Sequence, residues 1–218
     1  MNDIHSWNEW IGTDEAGKGD YFGPLVVAGV YVNADCQDEF LSKKITDGKK
    51  ISNPRVRKLA DWIWKHYEQH IVIKQKMPED YNSLYEILRK RDQNLNTMLA
   101  KLHIESIQTL ANRMGAKHAL IDKFANNDII TPQLAQQDIE IKQETKAERD
   151  IAVAAASIIA RDAFLKGIET LSQRYKIRLP RGAYQVTDAG KEFIKLHGAK
   201  ALRNVAKLHF RTTETVLA

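Results

Sequence analysis

Four acidic residues stand where apolar or turn residues would be expected. Asp14 and Glu15 directly follow the apolar stretch Trp10–Thr13, Asp122 ends the run Ala119–Ile121, and Glu148 opens an alanine-rich helical stretch. Three of the four therefore fall at expected strand or helix ends. In α/β sheets ligands collect in the crevice at the carboxyl ends of strands, and carboxylates gathered there repel one another unless cations neutralise them. An oxygen-only donor set with no Cys or His cluster favours a hard divalent ion, Mg²⁺ or Mn²⁺. Two such ions about 3.5–4 Å apart would activate a water and stabilise the leaving oxygen of an in-line phosphoryl displacement. Phosphodiester hydrolysis is the chemistry to expect. Taken singly, each acid also has an ordinary role: Asp14 in a turn, Asp122 as a helix cap, Glu148 as a partner of a helix dipole.

Two residues after the acid pair, Gly17-Lys18-Gly19 offers backbone N–H groups that can approach a ligand closely because glycine removes the Cβ barrier. Contacts of this kind can read a ribose 2′-hydroxyl. The plain alternative is a hairpin turn with a bulge.

The elements that must position these residues follow from hydrophobic pattern. Trp10–Thr13 and Leu25–Val32 read as neighbouring strands, and His70–Lys74 as a third. Pro54 opens a helix with Val56, Leu59, Ile63 and Tyr67 at helical spacing. Residues 92–114 form a long amphipathic helix ended by Gly115, followed by a fourth strand at His118–Asp122 and a fifth at Asp138–Lys142. A short helix near Pro132–Gln136 joins them. Ala147 to about Tyr175 favours helix, and two further helices, Asp188–His197 and Lys200–Leu208, close the chain. The expectation is an α/β domain, a mixed sheet of about five strands flanked by helices, with a C-terminal helical extension from about 176 to 218.

The 218 residues, 43 % apolar and 28 % charged, exclude disorder and a disulfide scaffold. Cys36 is the only cysteine, so neither an internal bridge nor a Cys-rich zinc site can form. The apolar run near Ile151–Ala160 is far shorter than the ~20 residues of a membrane span. No signal peptide is readable, so cytoplasmic residence is expected. Residues 1–162 carry 22 Lys and Arg against 24 Asp and Glu, while residues 163–218 carry 11 against 4. A basic segment beside a near-neutral body is a polyanion footprint, unless it is simply a solvated face.

The stretch from Gly12 to Pro24, through Asp14, Glu15, Gly17, Lys18 and Gly19, resembles the signature of type 2 ribonucleases H. Within it, Asp20-Tyr21-Phe22-Gly23-Pro24 resembles the ribonuclease HIII branch. Leu120–Ala125, Glu144–Glu148, Ala152–Arg161 and Lys207–Phe210 agree in order, so the resemblance spans about Ile11 to Phe210. It implies a ribonuclease H-like fold and metal-dependent cleavage of the RNA strand of RNA/DNA hybrids to 3′-hydroxyl and 5′-phosphate ends. It further implies Asp14, Glu15, Asp122 and Glu148 as metal-binding catalytic acids, the last Glu in this branch and Asp in ribonuclease HII. Gly17, Lys18 and Gly19 would contact 2′-hydroxyls, and Lys49 and Lys50 would lie against phosphates, although Gly48 stands where many members carry Ser.

Ribonuclease HIII usually carries a further N-terminal substrate-binding domain, whereas here the acid pair begins at residue 14. The expectation is that this domain is missing. Hybrid affinity would then lean on Arg174, Lys176, Arg178, Arg181, Lys191, Lys195, Lys200, Arg203, Lys207 and Arg211. Trp62, Trp64 and Tyr67 read as ordinary packing or surface residues of their helix, His197 and His209 as structural, and Ser157 as a small residue permitting close packing of its helix on the sheet. Asp150 is a minor candidate for the outer metal shell. No membrane or protein partner is expected, and the chain would act as a monomer. The alternatives are ribonuclease HII-like incision at single ribonucleotides in duplex DNA and a hybrid-binding module without catalysis.

Overall fold

The computed structural model describes residues 4–45, 51–124, 129–134, 137–182 and 185–218. Five strands, β1 (Glu9–Ala16), β2 (Leu25–Asn33), β3 (Ile71–Lys76), β4 (His118–Asp122) and β5 (Glu140–Glu144), form one mixed sheet in the order β3-β2-β1-β4-β5. β1 is central. It runs parallel to β4, with Ile11 beside Ala119 and Thr13 beside Ile121, and β4 runs parallel to β5, with Asp122 beside Glu144. The carboxyl ends of β1, β4 and β5 therefore share one edge.

The helices are α1 (Ala34–Ser42), α2 (Asn53–Tyr67), α3 (Pro78–Arg89), α4 (Leu95–Met114), α5 (Thr131–Leu134), α6 (Ile151–Tyr175), α7 (Val186–His197) and α8 (Thr212–Leu217). α1, α3 and α8 go beyond the pattern reading, although α1 and α3 carry start signals. The Asn33 side chain accepts the Cys36 N–H at 3.2 Å, and α3 opens with Pro78, Glu79 and Asp80. Asp14 and Glu15 lie inside β1 rather than after it. The segment expected as a helix over Lys200–Leu208 is a 3₁₀ turn at Ala199–Asn204, and β5 sits two residues later than the alternation predicts. The loop expected around Thr46–Asn53 lies largely outside the described residues. None of the described helices is long and apolar enough to cross a membrane.

The chain forms two compact units, each made of three segments. The first comprises Met1–Glu15, Val27–Lys74 and Leu95–Asp162; the second comprises Ala16–Val26, Gln75–Asn94 and Ala163–Ala218. The first is centred on Ile11, Tyr31, Val72, Ile104, Ile107, Leu110, Ala119 and Ile121, which join strands to α4. The first ten residues of α6 are all buried, as expected of a helix apolar on every side. The second unit is centred on Tyr21, Phe22, Leu179, Phe193, Leu202 and Val205.

Candidate active site

Side chains alternate along β1, so Gly12 and Asp14 share one face and Thr13 and Glu15 the other. α6 lies against the first face. A Cβ on Gly12 would stand 2.3 Å from the Ala152 carbonyl carbon and the Val153 nitrogen. Further along α6, Ser157 hydrogen-bonds the Asp14 carboxyl. α4 serves the second face. His103 shares a 2.8 Å hydrogen bond with the Thr13 hydroxyl through Nδ1, and its Nε2 lies 3.5 Å from Glu15 Oε2. The buried imidazole stacks on Phe124 at 4.9 Å.

Asp14 is 4 % exposed. Burial, foremost, and then the charge of Glu15 push its carboxyl up to about 7, with Asp122 adding in the same direction. The Ser157 hydroxyl and the Glu15 N–H, which donates to Asp14 Oδ1 at 2.8 Å, oppose that rise without cancelling it.

Asp122 ends β4, one step beyond the Thr13–Ile121 pairing, which brings it alongside Asp14. Its Oδ1 accepts the Ala147 N–H at 3.0 Å. That bond ties the strand end to the 3₁₀ turn Ala147–Arg149, which holds Glu148 and follows Lys146 in the left-handed region at φ 58°. Glu148 thus sits in a turn ahead of α6 rather than in its first residues. All four acids lie at the edge where the parallel strands end.

Two readings change. Asp150 is the buried cap of α6: its Oδ1 accepts the N–H groups of Ala152 (2.9 Å) and Val153 (3.1 Å) and the Trp10 indole N–H (3.0 Å), while Oδ2 lies 3.2 Å from His5 Nε2. Those bonds give it a structural task in place of the outer metal shell. Lys207, expected on a nucleic-acid face, is fully buried. Its Nζ donates to the carbonyls of Asp20 (2.6 Å) and Gly23 (2.8 Å), and burial pulls its ammonium down to about 7. Ser157 and His103 are the residues that pattern reading missed as site neighbours. Both sit in helices whose register onto β1 is set only by tertiary packing.

The segment Gly17-Lys18-Gly19 forms a turn after β1. Gly17 takes φ +84°, and a Cβ there would stand 2.2 Å from the Pro24 carbonyl oxygen, whereas nothing lies within 4 Å of one on Gly19. Glycine is thus required sterically at the first position, while at the second the backbone faces open space. Lys49 and Lys50 lie outside the described residues.

The donor set fits a hard divalent ion. Every candidate ligand is a carboxylate, and Asp14, raised first by burial and then by the charges of Glu15 and Asp122, is a group whose ionised form a dication would stabilise. Among the described residues no three His, Cys, Asp or Glu side chains stand close enough to hold an ion as they are. The acids share a sheet edge rather than a preformed cage.

The ribonuclease HII family matches residues 11–213. The ribonuclease HIII of Protochlamydia amoebophila is 39 % identical over 210 residues, covering 95 % of this chain and 68 % of that protein. The ribonuclease HIII of Chlamydia trachomatis serovar D is 41 % identical over 213 residues, covering 95 % and 69 %. The crystal structure of Bst-RNase HIII in complex with Mn²⁺ superposes with a TM-score of 0.83 at 30 % identity, covering 96 % of this chain and 69 % of that one. A family match that runs from β1, through all four acids, into α8 leaves one conclusion: the chain belongs to the ribonuclease HII family.

Proposed function

We propose that the chain is a metal-dependent endonuclease of the ribonuclease HIII type, which hydrolyses the RNA strand of RNA/DNA hybrids to 3′-hydroxyl and 5′-phosphate ends. Asp14, Glu15, Asp122 and Glu148 hold the ions, and Mg²⁺ and Mn²⁺ both suit their oxygens. The single observation that carries this reading is Asp14, a buried carboxyl held up at about 7 beside Glu15 and Asp122. The Mn²⁺ complex of Bst-RNase HIII supports a divalent ion. When bound, the ions supply an activated water and charge stabilisation at the leaving oxygen.

The chain's own residues orient and exclude. Ser157 fixes the Asp14 carboxyl from α6, and His103 fixes Thr13 and faces Glu15 from α4. Asp122 holds the turn that presents Glu148. Gly17, Lys18 and Gly19 contact 2′-hydroxyls of the RNA strand, the open space at Gly19 admitting the ribose. Lys49 and Lys50 complete the substrate contacts at phosphates. The chain works as one catalytic domain, as a monomer in the cytoplasm.

The relatives named ribonuclease HIII support the subgroup, as does Glu at position 148. Cleavage assays with Mg²⁺ or Mn²⁺ compare a full RNA/DNA hybrid with duplex DNA carrying one ribonucleotide. We expect efficient cutting of the hybrid alone, and a preference for the single ribonucleotide would transfer the chain to the ribonuclease HII type. Asp14→Asn should lower hybrid cleavage by about 10²- to 10³-fold, on the scale of losing one electrostatic partner of the transition state. Undiminished cleavage by that variant would refute the site.

A further inference from the structure

A second polar site lies in the first unit and shares no residue with the acids. The end of α1 and the first half of α2 line an open cavity of about 420 Å³, walled by Ser42, Lys43, Lys44, Arg55, Lys58, Leu59 and Trp62. Its four charged side chains are all cationic and exposed. Among the described residues none of them is ion-paired with a carboxylate. Like charges so close together repel unless an anion lies between them.

The walls are built rather than incidental. Arg55 donates to the Lys43 carbonyl oxygen at 3.0 Å, clamping α2 to the end of α1. From α6, Arg161 donates to the Ile51 carbonyl at 3.1 Å and to Asn53 Oδ1 at 2.9 Å, fixing the first turn of α2. Lys44, which also lines the cavity, takes φ 57°, a left-handed conformation that a lysine adopts at a cost. The Lys43 ammonium lies over the Trp62 ring at 5.2 Å, and His66 stacks on the same ring at 5.0 Å. Trp62 is therefore a support for charge, not a platform for a base.

We infer that this cavity anchors the phosphodiester backbone of bound nucleic acid, without reading bases, at a place distinct from the cleavage site. The inference rests on the reading of the chain as a hybrid nuclease, since it is the substrate that supplies the backbone. Four cations with no base platform match a run of phosphates. Their contribution is counterion release, which leaves a measurable signature in salt dependence.

The test compares the wild type, Lys43→Gln/Lys58→Gln and the charge-preserving Lys43→Arg/Lys58→Arg, binding a labelled RNA/DNA hybrid in EDTA over a series of KCl concentrations. For the Gln pair we expect Kd to weaken about 3- to 10-fold and the log–log salt slope to become shallower by nearly 2, with the Arg pair close to wild type. In parallel, the Trp62 indole N–H signal is followed by NMR while hybrid or inorganic phosphate is added, and it should respond to hybrid far more strongly than to phosphate. An unchanged Kd and slope in the Gln pair, with hybrid still bound by the wild type, overturns the anchor alone. A wild type that binds no hybrid overturns both the anchor and the nuclease reading. Free phosphate binding as tightly as hybrid would make the cavity a small-anion site and refute the backbone assignment.

Discussion

Asp14 binds its proton more tightly in the folded chain than in the unfolded one, its carboxyl rising from 3.8 to about 7. Between those values the native state holds the extra proton, so the contribution of Asp14 to stability falls as pH climbs from about 4 to about 7 and is constant above. The cost is on the order of 2–4 kcal/mol. Urea titrations of metal-free protein should show this decline, and Asp14→Asn should flatten it and be the more stable protein near neutrality. Added Mn²⁺ or Mg²⁺ should restore wild-type stability most strongly at the upper end of the range. A wild-type profile that runs parallel to the variant's would contradict the assignment. The acids were legible in the sequence because charged residues at strand ends conflict with their apolar neighbours. Ser157 and His103 were not, because a serine among alanines and a histidine on a long helix show their partners only once α6 and α4 dock on β1. Lys207 was misread for the same reason: nothing local says that two carbonyls await its ammonium.

Among the elements, the contact between β1 and α6 sets the spacing of the site. Gly12 stands where even a methyl group would meet helix backbone, and the Asp150 cap fixes where that helix begins. Gly12→Ala should cost about 3 kcal/mol or more, because neither backbone can yield without moving Asp14 away from Ser157. Gly19→Ala, with open space around it, should stay within about 0.5 kcal/mol of wild type. Chemical denaturation of the pair checks the contrast, and equal stabilities would remove the steric argument. Strands and long helices were readable because β4 carries an unbroken apolar run and α4 apolar residues at helical spacing. α1 and α3 were passed over despite the Asn33 cap of the one and the Pro78 start of the other, because their apolar positions are few: Cys36 and Phe40 are the buried residues of α1. Strand pairing order was beyond pattern, since β1 meets β4 across about a hundred residues.

At the scale of the molecule, the basic excess of residues 163–218 is more finely divided than its sum implies. Arg174, Lys176, Arg178, Arg181, Lys191, Lys195, Lys200 and Arg211 are exposed, Arg203 is half-buried and bonded to Ser83, and Lys207 is inside. Substituting Lys191 and Lys195 by Gln should weaken hybrid binding and reduce its salt slope by nearly 2 at little cost in stability. Lys207→Gln should instead destabilise by about 1–3 kcal/mol, by leaving carbonyls without their donor. Binding and unfolding measured on the same variants separate the two classes, and a Lys207→Gln protein of native stability would show that its burial is not structural. Net charge was legible at once; which charges face water required the fold. The interleaving of the two units carries a consequence for biosynthesis. All three segments of the first are made once residue 162 has been translated, whereas the second still awaits everything up to Ala218. A ribosome-bound chain halted after residue 162 would hold the acid-bearing strands complete and the Gly17 turn without Phe164, against which it packs, so that turn matures after the unit that carries the acids.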